Sequence, residues 1–196
     1  MEKALRRDLL LQAAERVFGK HPFHEATMQE VSAEAQIGMQ GVYEHFPSKQ
    51  RLYEEVILYR AQSFQSRITR ALEGLDNPLD ELKALIEVRV ESFHEAPEFL
   101  PVFLKERLHY DWDFKSRFGR RIDRVYREER ERVLRIIQRG LDRGLFRDED
   151  PEFLVQFFWD ATQAALYYHR KFRPNEEISE CVERAVQGFL RGVGGQ

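Results

Sequence analysis

The sequence predicts an all-α protein, in which a small amino-terminal group of helices precedes a larger helical bundle. Apolar residues recur at helical spacing along most of the 196 residues, and no convincing pair of strands interrupts them. Residues that start helices, and glycines or prolines that end them, separate these runs. Two very short runs also meet at a glycine near position 38. These observations together predict about nine helices.

The first three predicted helices follow each other closely. The first ends near Gly19, and Thr27 with Glu30 forms a capping box, in which each side chain satisfies a backbone N–H at the start of the second helix. Gly38 separates that helix from the third. The apolar positions that share a face in the three runs are Leu9, Leu10, Ala13, Val17 and Phe18, then Met28, Val31 and Ala35, then Val42 and Phe46.

The later helices are longer and also have recognisable ends. Ser48 is a good N-cap for a fourth helix that extends to about residue 72, and Asn77 with Pro78 opens the next one. Gly144 ends a later helix, and Asp150 precedes the start of another. The helices after the fourth are predicted over about 78–95, 98–109, 113–143, 151–172 and 176–191.

Composition limits the class of protein. With 42% hydrophobic and 33% charged residues, the chain can bury a core and stay in solution, and no run approaches the roughly 20 apolar residues that span a bilayer. The single cysteine, Cys181, excludes an internal disulfide and lies among apolar residues at helical spacing, as a buried hydrophobe does. We expect the protein to be cytoplasmic. We expect no metal site, because His21 and His24 have no cysteine or acidic cluster nearby.

Charge is unevenly distributed along the chain. The net charge is −3, so the whole chain is not an obvious binder of polyanions. Residues 1–53 carry seven Lys or Arg and seven Asp or Glu, whereas residues 105–147 carry fourteen against eight. A surface that binds nucleic acid must therefore be a local patch.

The second and third helices have the form of a helix-turn-helix, because they are short and meet at a glycine-containing turn. The second helix of such a pair fits the roughly 12 Å wide major groove and presents its first residues to base edges. Here these residues are Met39, Gln40 and Gly41. Glutamine can bond an adenine edge through two hydrogen bonds, methionine can contact a thymine methyl group, and glycine permits close approach of the backbone.

Lys49 points to a phosphate site beside these residues. A cation in the first turn of a helix opposes the helix dipole, and a bound phosphate oxygen would remove the conflict. The hydroxyl groups of Thr27 and Tyr43 and the ring N–H of His45 are expected to add phosphate contacts. Such contacts position a protein on DNA without reading its sequence.

The stretch AQIGMQGVYEHFPSKQRLY, residues 35–53, resembles the signature of the tetracycline-repressor (TetR) family, whose members usually have a form like A-G-V-S-x-G-x-L-Y-x-H-F-x-S-K-E-x-L. Gln36 and Ile37 depart from the usual Gly-Val, and Gly38 stands where a capping serine is common. The close resemblance covers residues 1–60. The matching positions are Ala35, Gly41, Tyr43, His45, Phe46, Ser48, Lys49 and Leu52.

The resemblance implies a homodimeric transcriptional regulator, most often a repressor, that binds a near-palindromic site in double-stranded DNA. It implies a helix-turn-helix domain over residues 1–50 and a domain over residues 51–196 that binds a small-molecule effector and dimerises. No cofactor is implied. No catalytic motif, such as a P-loop or a nucleophile elbow, occurs in the sequence, so an enzyme is not expected.

Two apolar segments are expected to line the effector cavity, with ordinary core packing as the alternative. Their residues, with the arginines that accompany them, are Phe93, Phe99, Phe103, Leu104, Arg107, Trp112, Arg117, Phe118, Arg121, Phe158 and Trp159. A long apolar cavity beside a phosphate-binding patch suits a fatty acyl group carried on coenzyme A. A neutral aromatic or drug-like compound is the alternative effector.

The phosphate-binding patch is expected in a run of cations between residues 115 and 127. This run holds six cations and one acid, and Arg117, Arg121 and Arg124 share a helix face. Guanidinium groups match the geometry of phosphate. Farther along, ion pairs at i, i+4 spacing are expected for Glu128–Arg132 and Glu131–Arg135.

The run FLVQFFWDATQAALYYH, residues 153–169, predicts dimerisation. It carries two apolar stripes where an amphipathic helix needs one, so we expect burial against both its own domain and a partner subunit. The expected interface residues, in this helix and the last one, are Phe153, Phe157, Ala161, Ala164, Tyr168, Val182, Val186 and Phe189.

Two other classes of protein stay open at this point. One is a helical carrier of apolar ligands whose amino-terminal helices dock a protein instead of DNA. The other is an enzyme whose site lies in the helical bundle. Binding to duplex DNA separates the regulator from the carrier, and turnover of a substrate would support the enzyme.

Overall fold

The computed structural model describes residues 2–95, 97 and 114–193. These residues form helices and no strand, which confirms the all-α prediction, and the helix predicted over 98–109 lies outside them. The helices are α1 (Glu2–Lys20), α2 (Met28–Ala35), α3 (Met39–His45), α4 (Lys49–Ala71), α5 (Pro78–Glu95), α6 (Phe114–Asp142), α7 (Pro151–Phe172) and α8 (Ile178–Val193).

The chain forms two compact units. One comprises residues 1–63 and 96–125, and the other comprises residues 64–95 and 126–196. The functional division at residue 50 stays a prediction. None of the helices in the described part of the chain is long and apolar enough to cross a membrane.

The first unit is built around one apolar core. Leu9 was expected on this face but is 43% exposed, whereas Leu11 is buried. Successive helical residues are rotated by about 100°, and the buried stripe of α1 is centred past Leu9, on the side of Leu10 and Ala14. The other fully buried residues of this core include Phe18, Val31, Val42, Phe46 and Leu52.

A bidentate ion pair joins α1 to α4 within this unit. Arg60 donates from Nε and Nη2 to the carboxylate of Glu15, at 2.6 and 2.7 Å. Glu15 is almost fully buried. Loss of Arg60 would leave the buried Glu15 carboxylate without a compensating charge, so the pair fixes how the first helix lies on the fourth.

The predicted helix caps are present. The Ser48 hydroxyl accepts a hydrogen bond from the backbone N–H of Arg51 at 3.1 Å, at the start of α4. The side-chain oxygens of Asn77 and Asp150 accept in the same way at the starts of α5 and α7. Gly144, with φ of +68°, follows the end of α6, as the sequence predicted.

The junction between α2 and α3 is a left-handed turn at Gln36. This residue has φ 54° and ψ 36°, and it is the only non-glycine residue with positive φ in the described ranges. Its N–H donates to the Ala33 carbonyl, and the Ile37 N–H donates to the Ser32 carbonyl at 3.1 Å. These bonds satisfy carbonyls that the end of a helix leaves without partners. The turn therefore sets the direction in which α3 leaves α2.

In the second unit, α8 packs against both α5 and α7. Its apolar face is buried, and the lone cysteine, Cys181, is fully covered as predicted. Burial raises the pKa of the Cys181 thiol to about 11. A thiol with so high a pKa is almost entirely protonated at neutral pH and is a weak nucleophile.

Gln36 generates a prediction about stability. Glycine adopts the left-handed conformation without steric cost, whereas other residues are strained there. We expect Gln36→Gly to raise the free energy of unfolding by about 0.5–1 kcal/mol, after the extra entropy of the unfolded chain is subtracted. Urea unfolding followed by circular dichroism measures this change. Gln36→Ala is the matched control and should change little; a lower stability of Gln36→Gly than of Gln36→Ala would contradict the account.

Candidate nucleic-acid interface

Helix α3 has one face in the core and one face in solvent. Val42 and Phe46 are 0% and 1% exposed, whereas Tyr43 is 50% exposed. Gln40 is exposed on the outer face as well. The predicted orientation of this helix is therefore confirmed: its apolar pair points inward and its polar residues point outward.

The predicted base-reading residues occupy the first turn of α3. Gln40 is exposed, and its side-chain amide donates to Glu44 at 3.0 Å, so a base edge would compete with this carboxylate. Met39 and Gly41 are partly buried. A Cβ atom at Gly41 would lie 2.9 Å from the side chain of Ile37, so glycine here also permits close packing of the turn.

Gly38 is the N-cap residue of α3 and makes no side-chain cap hydrogen bond. Its φ of −57° is ordinary for any residue, and a Cβ atom there would meet nothing within 4 Å. The position therefore has room for the serine that is common in the resembling family. A serine N-cap here would stabilise the helix by only ~0.3 kcal/mol relative to glycine.

Thr27 forms the predicted capping box with Glu30. The Thr27 hydroxyl accepts from the Glu30 N–H at 3.1 Å and donates to the Glu30 carboxylate at 2.9 Å, and the Thr27 N–H donates to the same carboxylate at 2.7 Å. These hydrogen bonds, the one from the hydroxyl first, lower the pKa of the Glu30 carboxyl. A phosphate at Thr27 would therefore lie beside a carboxylate that stays ionised.

Lys49 is the first residue of α4, as predicted, but its ammonium group already has partners within the chain. It donates to the backbone carbonyls of Ala26 at 2.8 Å and His24 at 3.3 Å. It also lies 4.7 Å from the centroid of the Phe23 ring. These contacts relieve the conflict with the helix dipole that the sequence pointed to, and they hold the loop before α2 against the start of α4.

Tyr43 and His45 differ in what they offer to a ligand. The Tyr43 hydroxyl has no hydrogen-bond partner among the residues that the structure describes, and its side chain is half exposed. His45 is partly buried, with its ring 6.3 Å from that of Phe46. Tyr43 is thus the predicted phosphate contact with the most accessible polar group.

Arg121 has a carboxylate partner that sequence analysis did not find. Its guanidinium donates to Glu55 of α4 at 2.8 Å. The same carboxylate accepts from Arg7 at 2.6 Å and lies 3.1 Å from Arg51. Glu55 stands 66 residues before Arg121, so no local pattern could indicate this pairing. Any phosphate at Arg121 would therefore compete with the Glu55 carboxylate.

The predicted effector residues are only partly described. Phe93, Phe158 and Trp159 are buried in the second unit, at 8%, 0% and 5% exposure. The α6 backbone includes Arg117 and Phe118, whose side chains lie outside the description. The remaining predictions also lie outside the described residues and concern Phe99, Phe103, Leu104, Arg107 and Trp112.

Arg89 is a buried polar residue that sequence analysis missed. It is 3% exposed and donates to the buried carboxylate of Glu129 at 2.6 Å. The central carbon of its guanidinium lies 3.7 Å from the centroid of the Trp159 ring. The available signal was an arginine inside the apolar run ALIEVRVESF, one helical turn before Phe93.

The predicted dimer residues divide into two groups. On α7, Phe153 is 50% exposed, and the other members of its stripe, Phe157, Ala161, Ala164 and Tyr168, are also at least partly exposed. On α8, Val182, Val186 and Phe189 are buried in the single chain. A residue that is already covered offers little area to a partner. The exposed part of the predicted interface therefore lies on α7.

A family model described as "Bacterial regulatory proteins, tetR family" matches residues 10–56, which include α2, α3 and the first turns of α4. The chain is 26% identical over 199 residues to the HTH-type transcriptional repressor KstR2 of Mycolicibacterium smegmatis, covering 99% of this chain and 91% of that protein.

Two solved structures have the same fold along nearly the whole chain. The fatty acid degradation regulator FadR from Bacillus halodurans matches with a TM-score of 0.81 at 15% identity and covers 97% of both chains. AibR, solved in complex with isovaleryl coenzyme A and operator DNA, matches with a TM-score of 0.76 at 18% identity and covers 93% of this chain and 96% of its own.

Proposed function

Since the chain belongs to the TetR family of bacterial regulatory proteins and is a DNA-binding transcriptional regulator, we propose that it is a homodimeric repressor released from its operator by a fatty acyl-CoA. The observation that carries the DNA-binding part is the outer face of α3, where Gln40 and Tyr43 are exposed while Val42 and Phe46 fix the helix in the core. Such a face can enter the major groove without unfolding any part of the unit.

In this proposal the first turn of α3 reads bases and its surroundings bind phosphates. Met39, Gln40 and Gly41 face the base edges. Thr27, Tyr43, His45 and Lys49 lie toward the DNA backbone. The Lys49 ammonium has three donors, and two of them bond carbonyls, so its phosphate role rests on the third donor and on its charge. Tyr43 contributes a hydroxyl that has no competing partner in the described residues.

The effector part of the proposal rests on the buried aromatic residues of the second unit. Phe93, Phe158 and Trp159 suit an acyl chain, and Arg89 lies against the Trp159 ring with its charge balanced by Glu129. The basic run at the start of α6 is proposed to receive the phosphates of coenzyme A. The AibR structure, with isovaleryl coenzyme A and operator DNA in one complex, supports an acyl-CoA effector. A neutral aromatic compound is the second candidate, because the same aromatic residues would receive it.

Release by an effector has a thermodynamic counterpart. If an acyl-CoA lowers the affinity for DNA by some factor, DNA lowers the affinity for that acyl-CoA by the same factor. An effector that binds both DNA-bound and free protein equally well would cause no release, however tightly it binds.

The phosphate contacts predict a dependence on salt. Lys49→Gln should reduce the slope of log affinity against log salt concentration by about 1, because one phosphate neutralisation is lost. Lys49→Arg keeps the charge and should keep the slope. Tyr43→Phe should weaken binding to specific and random duplexes about equally, since it removes a backbone contact. Fluorescence anisotropy of a labelled duplex at several salt concentrations measures these quantities. A slope unchanged by Lys49→Gln would refute the phosphate role.

The effector proposal predicts selective release. Long-chain acyl-CoA should dissociate the operator complex, whereas the matching free fatty acid and free coenzyme A should not. The double variant Arg117→Ala/Arg121→Ala should lose the response. Arg51→Ala is the control, because it also removes an arginine from Glu55 but lies outside the basic run of α6. Absence of release at every acyl chain length would refute an acyl-CoA, and release by a neutral aromatic compound would favour the second candidate.

The exposed stripe of α7 predicts the assembly. Phe153→Arg should give a folded monomer with no affinity for the operator, since a charge on this half-exposed position cannot be buried against a partner. Phe189→Arg is less informative because Phe189 lies in the core. Multi-angle light scattering gives the mass, with Leu75→Arg as a control at an exposed apolar residue outside α7 and α8. A wild-type protein that is monomeric at micromolar concentration would contradict the dimer.

A further inference from the structure

A cavity of about 430 Å³ opens on the second unit, where the end of α4, the start of α5 and the middle of α6 meet. Its volume is within the range of small-molecule sites, which is roughly 300–1,000 Å³. None of the predicted effector residues lines it. The lining residues are Leu72, Glu81, Arg132, Arg135, Ile136, Gln138 and Arg139.

The wall of this cavity combines apolar carbon with positive charge. Leu72, which directly follows α4, and Ile136 of α6 supply apolar surface. Arg132, Arg135 and Arg139 lie at i, i+3 and i+7 on α6 and therefore share one helix face. Arg139 is ion-paired with Glu81, the only acid in the lining. Two arginines are then left without a carboxylate in the cavity wall.

Arg132, which lines the cavity, does not use all of its hydrogen-bond donors within the described residues. It donates from Nη2 to the side-chain oxygen of Gln65 at 2.8 Å. Its Nε and the Nε2 of Gln65 are both buried without a hydrogen-bond partner among the described residues. A buried donor that stays unsatisfied costs about 1–3 kcal/mol, and native proteins keep such groups few. Arg132 therefore has hydrogen-bonding capacity that the described residues do not use.

Arg135 supplies a second cation. The sequence predicted ion pairs for Glu128–Arg132 and Glu131–Arg135, but neither forms, and Arg135 is exposed with no ion pair in the described ranges. Intrahelical pairs of this type contribute only about 0.2–0.5 kcal/mol, so their absence costs the fold little. A guanidinium matches the planar or tetrahedral oxyanion of a carboxylate or a phosphate through two parallel hydrogen bonds.

We propose that this cavity is a second ligand site, for an amphipathic anion with a carboxylate or phosphate group and a short apolar chain. Arg132 and Arg135 bind the oxyanion through the outer N–H groups of their guanidinium groups. Leu72 and Ile136 contact the chain. The site is separate from the proposed effector residues. Ligand binding there can be tested without measuring release from DNA.

The test places a reporter at the cavity itself. Gln138 lines the cavity and is exposed, so Gln138→Cys allows an environment-sensitive maleimide dye to be attached there. The native Cys181 does not compete for the label, because it is fully buried. The labelled full chain is titrated with octyl phosphate, octanoate, octyl glucoside and inorganic phosphate. These probes separate the two oxyanions, the neutral chain and the anion alone.

Octyl phosphate or octanoate should change the dye signal saturably at one equivalent per chain, with inorganic phosphate and octyl glucoside much weaker. Arg132→Gln/Arg135→Gln should weaken binding by at least about tenfold, since hydrogen bonds to a charged group are lost. Arg130→Gln, on the same helix but paired with Glu152, is the control and should stay within about twofold.

Three results would overturn the proposal. Octyl glucoside binding as tightly as octyl phosphate would show an apolar groove without anion recognition. Inorganic phosphate binding as tightly would show that the apolar wall contributes nothing. Unchanged binding in the double variant, with its helicity intact by circular dichroism, would show that the arginines do not hold the anion. None of these results bears on whether an acyl-CoA releases DNA.

Discussion

The left-handed turn at Gln36 is the constraint on which the amino-terminal unit depends. It ends α2, satisfies the last carbonyls of that helix and sends α3 back across the core. Only with this direction do Val42 and Phe46 reach the core while Gln40 and Tyr43 stay outside. A residue with a side chain is strained there, so the chain gives up some stability to keep the outer face of α3 in place. The proposed DNA contacts all follow from that orientation.

Several charged side chains that are candidates for binding DNA or an effector already have partners within the chain. Lys49 holds two carbonyls and a ring face, and Glu55 gathers three arginines around one carboxylate. Binding of DNA or an effector phosphate must compete with these contacts or use donors that they leave. The Arg132–Gln65 pair differs, because two of its buried donors have no acceptor in the described residues. This contrast supports a second anion site at Arg132, apart from the phosphate patch that is proposed at Arg117 and Arg121.

Local features of the fold could be predicted from the sequence, whereas tertiary partners could not. The capping box at Thr27 and the caps at Ser48, Asn77 and Asp150 involve residues two or three positions apart, so their chemistry is visible in a short window. The inward and outward faces of α3 follow from helical spacing in the same way. The partners of Lys49 and Arg121 lie 23 and 66 residues away, beyond any periodic signal. Burial of Val182, Val186 and Phe189 of α8 within one chain likewise depends on packing that spacing alone does not fix.

The central claim is that the first turn of α3 reads base edges in a symmetric pair of half-sites. Selection of bound duplexes from a random library, with the wild type and with Gln40→Ala, tests it most directly. The account predicts an inverted repeat with half-site centres about one helical turn, ~34 Å, apart. It also predicts that Gln40→Ala loses preference at one base-pair position in each half-site and keeps the rest. An identical selected motif for both proteins, or no motif for the wild type, would contradict the claim.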